Sequence, residues 1–156
     1  MPNLFPEDLE ADALVSNNQT EDSTVIGYRR SVYFDFEKGD FVRDGANRLV
    51  ESSGTEAWIQ WCIKCLQTQR YAHLAYSTDY GVDYETVFSC TTREEAENEL
   101  TREITEALGA DPYERLSYIE SMTFEWLDDT SVEVHLILVG IDGNTAEFQT
   151  KLAAKM

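Results

Sequence analysis

Basic residues are few in this chain of 156 residues: 12 lysines and arginines stand against 30 aspartates and glutamates, and the formal net charge is −18. So acidic a surface repels the phosphate backbone of nucleic acids and the anionic face of a membrane. The chain also lacks any run of roughly 18 apolar residues, the length that a membrane-spanning helix needs. We therefore expect neither nucleic acid nor a membrane as a partner.

Cysteine is scarce as well, with 3 residues, an odd number from which no disulfide framework is built. The N-terminus, MPNLFPEDLEAD, has neither the basic start nor the apolar segment of a signal peptide. Both features predict a protein that is made and kept in a reducing cytosol.

Two of the cysteines, Cys62 and Cys65, stand in a Trp-Cys-x-x-Cys sequence of the kind found in redox-active dithiols. A reactive dithiol needs its first cysteine at a helix N-terminus, where the helix dipole lowers the thiol pKa. Here Cys62 lies about two turns into a predicted helix, and both thiols fall on its apolar stripe with Trp58 and Leu66. We predict that both cysteines pack in the core.

The chain shows no pattern for a cofactor or a metal. A structural zinc site needs four ligands, but Cys90 is distant from the other two cysteines, and His73 and His135 form no spaced pair. The 8 glycines are dispersed, so no phosphate-binding loop is predicted. Neither histidine accompanies a nucleophile motif. We expect no cofactor and no enzymatic activity.

The distribution of charge and apolar residues divides the chain into three parts. Residues 1–27 carry acidic residues and no basic one, which predicts an extended or disordered N-terminal arm. Residues 28–150 contain the periodic apolar patterns of a single domain. Residues 151–156 are then a short C-terminal tail.

A hairpin is predicted at the start of the domain. Apolar residues alternate with more polar ones at Val32, Phe34 and Phe36, which indicates a strand with one buried face. Residues 37–40 predict a turn, and Phe41 begins a short return strand.

Two helices follow the hairpin. Thr55 is the expected N-cap of the first helix, which ends near Gln69. Thr92 opens the second, which runs to Leu108 and is closed by Gly109. The apolar residues of the second helix follow helical spacing and predict a buried face: Ala96, Leu100, Ile104, Ala107 and Leu108. The glutamates are expected on its solvent side: Glu94, Glu95, Glu97, Glu99, Glu103 and Glu106.

The pattern of the last third of the sequence predicts a three-stranded antiparallel meander. One extended run places four residues on a common face: Tyr118, Met122, Phe124 and Trp126. Glu120 interrupts that face and is expected near the strand start or at a bend. A turn leads into residues 132–139, and Asp142-Gly143 is a hairpin signal before residues 145–149. The predicted fold is α+β, with two helices packed on a mainly antiparallel sheet.

The segment after the first helix resembles a block found in a family of short baseplate proteins of contractile-tailed phages. That family is similar to the baseplate wedge, or sheath-initiator, proteins. The block consists of Leu66, Thr68, Arg70, Tyr71, Tyr76, Tyr80 and Gly81. A strand pair containing Asp-Phe-Glu-x-Gly at residues 35–39 occupies the position expected from the family. Pro112 and Arg115 stand where the wedge family has a Glu-Pro-Arg, but here more residues separate the proline from the arginine than in that family.

The resemblance implies a structural component of a contractile tail baseplate, on which the sheath assembles through exchanged strands. The implied partners are the tail sheath protein and the other baseplate wedge, tube and hub proteins. The implied location is the virion tail baseplate, assembled in the host cytoplasm, with multiple copies in a symmetric assembly. An exposed sheet edge and a loose terminal segment are what strand exchange requires.

Several block residues have two readings. Tyr71, Tyr76 and Tyr80 are either interface anchors or caps over the core at the helix exit. Gly81 is expected to adopt a backbone shape that other residues resist. Arg70 has three possible roles, to cap the last carbonyls of the helix, to pair with an internal acid or to hold a neighbouring subunit, and the internal pair is favoured. Arg115 is expected to do the same after the second helix while tying its loop to the meander.

Three alternative functions belong to other classes of protein. Some wedge proteins are labelled lysozyme-like, which suggests a cell-wall glycan hydrolase, although no acid pair stands in matching positions. The charge of −18 by itself suggests an acidic DNA-mimic inhibitor. The Trp-Cys-x-x-Cys sequence suggests a thiol oxidoreductase, which requires Cys62 and Cys65 to be reactive.

Overall fold

A computed structural model of the chain describes residues 29–154. The predicted N-terminal arm, residues 1–27, lies outside the described residues, as do Lys155 and Met156. The division of the chain into arm, domain and tail therefore stays a prediction.

The N-terminal ribbon, residues 31–52, consists of four strands of two residues each: β1 (Ser31–Val32), β2 (Phe34–Asp35), β3 (Asp40–Phe41) and β4 (Glu51–Ser52). β2 pairs antiparallel with β3, which confirms the predicted hairpin, and the pairing of β1 with β4 was not predicted. The Asp35 carboxylate stabilises the turn because it accepts hydrogen bonds from the N–H groups of Glu37 and Lys38.

Helix α1 spans Gly54–Leu66 and buries both thiols. The predicted cap at Thr55 is wrong, because the chain enters the helix one residue earlier at Gly54, whose φ of +59° suits glycine. The helix also ends at Leu66 rather than near Gln69, because Gln69 instead forms a bridge with Val82.

Two further helices follow: a short α2 (Tyr84–Phe88), which was not predicted, and α3 (Arg93–Gly109). α3 begins as predicted after Thr92, whose hydroxyl accepts from the Glu95 N–H at 3.2 Å while the Glu95 carboxylate accepts from the Thr92 N–H. This reciprocal pair satisfies two N–H groups that a helix start leaves free.

The apolar face of α3 is buried as predicted, but its polar face is not entirely in solvent. All five predicted apolar residues are buried. Glu103 is only 3% exposed, so its assignment to the solvent side is wrong. It is buried because a cation from another segment, Arg70, lies against it.

The C-terminal meander comprises β5 (Leu116–Asp128), β6 (Ser131–Gly140) and β7 (Thr145–Ala153), in the antiparallel order β5-β6-β7. β7 was predicted to end at Gln149, but it continues to Ala153, since Leu152 pairs with Val132 and is buried.

The placement of Tyr118 on the apolar face of β5 is wrong. Its side chain is 56% exposed, whereas Met122, Phe124 and Trp126 pack against the core as predicted. A register shift between Ile119 and Ser121 moves the chain from one face to the other, and Glu120 lies within that shift. The bend expected at Glu120 is thus present, and it is what displaces Tyr118.

One core joins these elements, since α1 and α3 pack over the inner face of the meander. The inner face of β6 carries Val132, Val134, Leu136 and Leu138, all fully buried. The predicted α+β class is confirmed. No helix within residues 29–154 combines the length and apolar character that crossing a bilayer requires.

Candidate partner-binding site

The block from the sequence forms a closed loop at the exit of α1, here named the tyrosine loop (residues 67–82). Its two ends are joined by backbone hydrogen bonds, from the Arg70 N–H to the Val82 carbonyl and from the Val82 N–H to the Thr68 carbonyl, both 3.0 Å. Gly81 lies at φ +95°, and a Cβ there would be 2.5 Å from the Thr68 carbonyl oxygen. Only glycine fits this close approach, in agreement with the expectation for Gly81.

The first two block residues complete the end of α1. Leu66 is fully buried, and its carbonyl accepts a hydrogen bond from the Tyr84 hydroxyl. The Thr68 hydroxyl donates to the Lys64 carbonyl at 2.7 Å. These bonds satisfy carbonyls that a helix end leaves without partners, so the loop starts from a fixed position.

Arg70 fastens the base of the loop to α3, as predicted for an internal ion pair. Its Nε donates to the Gly81 carbonyl at 3.0 Å, and its two Nη atoms lie 3.3 Å from Glu103 Oε2 and 3.2 Å from Glu106 Oε2. Burial works against the charge, but the hydrogen bond to Glu106 and the Glu103 carboxylate raise the pKa of Arg70. The guanidinium therefore remains charged, and it holds the loop against the helix.

A second arginine neutralises the same acids. Arg102 contacts Glu103 and Glu106, both at 2.8 Å, from the solvent side of α3. Hydrogen bonds from Arg102 and, to a lesser extent, from Arg70 lower the pKa of Glu106. Glu103 thus lies between two cations, which compensates for the cost of burying its charge.

The three tyrosines of the block have different environments. Tyr80 is 8% exposed and packs edge-on against Trp61, so it caps the core. Tyr76 stacks on Tyr80 with ring centroids 4.4 Å apart and is partly exposed. Tyr71 is 68% exposed at φ +65°, a conformation that is unusual for an aromatic residue. Tyr80 therefore fits the reading as a cap over the core, while an interface role for the exposed Tyr71 and Tyr76 stays a prediction.

Leu74 was missed by sequence reasoning. It lies at the tip of the tyrosine loop, and its side chain is fully exposed. A single leucine among polar and aromatic residues has no periodicity that could have predicted this. Together with Tyr71 and Tyr76 it gives the loop an apolar tip on a rigid base, and tyrosine is among the residues enriched at the energetic centres of protein interfaces.

Pro112 and Arg115 lie in the turn between α3 and β5. Arg115 is buried and forms a bidentate pair with Asp111, with Nε–Oδ2 at 2.7 Å and Nη2–Oδ1 at 3.0 Å. The Arg115 carbonyl accepts from the Ile141 N–H, which ties the turn to the meander as predicted. Pro112 is exposed. The sequence did not identify Asp111 as the partner of Arg115, because that pairing depends on the fold of the turn.

The two parts of the sequence motif meet at Trp61 on α1. The Tyr80 ring lies 5.8 Å from the Trp61 ring, and the Arg115 guanidinium lies 5.6 Å from it. The structure therefore brings the tyrosine loop and the α3–β5 turn onto one side of α1.

The chemistry of the thiols does not support a redox role. Burial raises the pKa of Cys62 well above its usual value and raises that of Cys65 to about 11. Both thiols are protonated at neutral pH, and only the thiolate is a nucleophile. Across residues 29–154 no three His, Cys, Asp or Glu side chains are grouped so as to hold a metal ion.

A further candidate surface is the outer edge of β7. The Gly140 N–H donates to the Asn144 carbonyl, and the Ala154 N–H donates to the Thr130 carbonyl, both at 2.9 Å. Because ladder bonds fall on every second residue of an antiparallel pair, the even-numbered residues of β7 bond to β6. The odd-numbered residues turn their N–H and carbonyl groups outward: Thr145, Glu147, Gln149, Lys151 and Ala153. No strand within the described part of the chain pairs with this edge.

Comparison with known families supports the resemblance noted in the sequence. Residues 30–143 match the family described as contractile injection system sheath initiator, a span that includes the tyrosine loop, Pro112 and Arg115. No curated protein matches the chain. Because the match extends over most of the sequence, this chain belongs to the contractile injection system sheath initiator family.

Proposed function

We propose that this protein is a baseplate component on which the sheath begins to assemble, and that the first sheath subunits add a strand to the outer edge of β7. Family membership gives the chain a structural role in a contractile injection system, at the tail or baseplate. Strand addition and the choice of edge are the proposal.

The regularity of β7 carries the choice of edge. From Thr145 to Ala153 its register with β6 is unbroken, so the outward N–H and carbonyl groups repeat evenly along nine residues. An exposed, regular edge of this kind is a template on which a peptide from another chain forms hydrogen bonds. The outward-facing backbone belongs to residues whose side chains are exposed, so a partner strand can approach without displacing core residues.

The opposite edge of the meander, β5, is a poorer template. Its register with β6 shifts at three places, between Leu116 and Tyr118, Ile119 and Ser121, and Trp126 and Asp128. Such irregularities bend a strand and interrupt the repeat of its backbone groups, and they are a known protection of sheet edges. We therefore assign the incoming strand to β7 and not to β5.

The tyrosine loop is proposed as a second contact, through Tyr71, Leu74 and Tyr76. Its base is held by Arg70 and Gly81, so the tip is presented at little entropic cost on binding. The sheath and other baseplate components are the expected partners, while wedge, tube and hub contacts, copy number and symmetry stay predictions from the resemblance. We propose no catalytic activity: the family is structural, and Cys62 and Cys65 are buried.

The test of the edge assignment is a proline at an outward-facing position. Gln149 is exposed, and its N–H does not bond to β6, so Gln149→Pro removes one outward donor and blocks the edge without breaking a ladder bond. We expect Gln149→Pro to lower sheath nucleation at least about tenfold in a polymerisation assay with the sheath protein of the same contractile injection system, since strand pairing depends on main-chain bonds.

Gln149→Ala is the matched control, because it removes the same side chain and keeps the backbone donor. It should nucleate sheath as the unaltered protein does, and urea unfolding should show both variants folded. Equal nucleation by Gln149→Pro would overturn the assignment to β7. Failure of the unaltered protein to bind sheath or baseplate subunits would contradict the proposed function itself.

A further inference from the structure

A groove lies between the N-terminal ribbon and α1, and Gln67 and Thr68 at the start of the tyrosine loop complete its lining. It has a volume of about 470 Å³, within the range of cavities that hold ligands or bound side chains. One wall consists of the ribbon side chains Phe34, Phe36 and Phe41, whose rings contact each other edge-on. The other wall is formed by Ala57, Trp61 and Lys64 of α1.

The charge of this groove differs from that of the chain as a whole. The chain is strongly acidic, with 30 aspartates and glutamates, but no acidic residue within residues 29–154 lines the groove. Its one charged lining residue is Lys64, whose Nζ lies 5.5 Å from the Tyr76 ring and pairs with no acid among residues 29–154. A positive charge beside an apolar wall favours an occupant that is apolar and carries a negative charge.

A buried donor in the wall adds a second requirement. Gln60 Oε1 accepts from the Phe34 N–H at 3.1 Å, which fixes Nε2 as the donating end of the amide. Nε2 is buried and has no acceptor within the described residues. A buried donor without an acceptor costs stability, and an oxygen from an occupant would remove that cost if the ribbon moved away from α1 and uncovered Nε2.

We infer that this groove binds an extended peptide segment of a partner protein that carries a bulky apolar side chain next to a carboxylate. The apolar side chain packs between Phe34, Phe41 and Trp61. The carboxylate lies at Lys64, and a backbone carbonyl of the segment accepts from Gln60 Nε2 once the ribbon moves away from α1 to uncover it. Strand addition at β7 is not needed for this binding.

The test uses a defined probe, a tetrapeptide of leucine, phenylalanine, aspartate and glycine that is acetylated and amidated at its ends. Its binding to the ¹⁵N-labelled full chain is followed by NMR chemical shifts. We expect shifts at Phe34, Gln60 and Trp61, and about fivefold weaker binding when asparagine replaces the aspartate, as for loss of one surface charge pair.

Two variants of the protein locate the charge. Lys64→Gln should abolish the difference between the aspartate and asparagine peptides, whereas Lys151→Gln, the same change on β7, should leave it intact. Urea unfolding should be unchanged for both, because both side chains are exposed. The inference is overturned if the shifts fall outside the groove, or if Lys64→Gln and Lys151→Gln behave alike. It is equally overturned if the groove signals move with protein concentration alone, which would make a second copy of this chain the occupant.

Discussion

The N-terminal ribbon and the C-terminal meander are both antiparallel β-structure, yet different forces stabilise them. The strands of the meander are 13, 10 and 9 residues long, and β6 buries a continuous row of apolar side chains. The strands of the ribbon have two residues each, and none of its apolar side chains belongs to the buried core. The ribbon is stabilised instead by local bonds such as those to the Asp35 and Asp44 carboxylates.

The difference teaches where stability and adaptability are located in this chain. Burial of apolar surface is the main stabilising term in folding, so the meander and its two helices account for most of the free energy of unfolding. A segment that buries little and depends on exposed hydrogen bonds opens at a lower free energy than the whole molecule. The groove between the ribbon and α1 can therefore adjust to an occupant, while the β7 edge and the tyrosine loop belong to the rigid part.

The sharpest test of this comparison is the same substitution in both regions. Leu136 in β6 is fully buried, whereas Leu49 in the ribbon is 45% exposed. Leu136→Ala should lower the free energy of unfolding by about 2–5 kcal/mol, because it removes buried apolar atoms and leaves a cavity. Leu49→Ala should stay within about 0.5 kcal/mol. Urea unfolding followed by circular dichroism measures both, and equal losses would show that the ribbon shares the core after all.

A smaller effect is expected from two glycines. Gly81→Ala should cost about 1–3 kcal/mol, because the new Cβ would meet the Thr68 carbonyl at a left-handed φ. Gly45→Ala, in the ribbon, should be neutral or slightly stabilising, since nothing lies within 4 Å of its Cβ position and its φ is not left-handed. The same unfolding experiment reports both values. A neutral Gly81→Ala would mean that the tyrosine loop is not held as tightly as its hydrogen bonds indicate.

The smallest effect concerns alkaline pH and acts on the packed region alone, where both buried thiols lie. The pKa of Cys65 is about 11 in the folded state against 9.0 for an ordinary thiol. The unfolded state therefore loses its proton first, so the stabilising contribution is complete below pH 9 and is lost as the pH rises toward 11. Between pH 8 and pH 10 the loss should be about 1 kcal/mol for this thiol.

The control for the pH experiment is the double variant Cys62→Ala, Cys65→Ala, measured at the same two pH values. All other titratable groups are common to both proteins, so the difference between them isolates the thiols. An identical pH dependence in the variant would indicate that the thiols reach solvent in the native state.

Much of the core could be predicted from spacing. The helical spacing of apolar residues in α3 identified its five buried residues, and a helical wheel of α1 placed Cys62 and Cys65 on the buried face. Both succeeded because the helical period alone decides which face a residue occupies. The same reasoning failed for Glu103, because its burial depends on Arg70. Part of the candidate site was also predictable: Gly81, Arg70 and Arg115 have the internal roles expected of them, whereas the partners Asp111 and Glu106 could not be identified from spacing.

What the sequence determined by itself is the order of the hairpin, the two long helices and the meander, the inward-facing stripes and the strong acidity, because each depends on residues that are close together along the chain. Only the tertiary structure decided which charges meet, which edge of the meander is regular and where the groove lies. Arg70 and Glu106 are 36 residues apart, and the register shifts of β5 exist only relative to β6. Contacts between distant segments depend on how whole elements pack, and local periodicity carries no information about that packing.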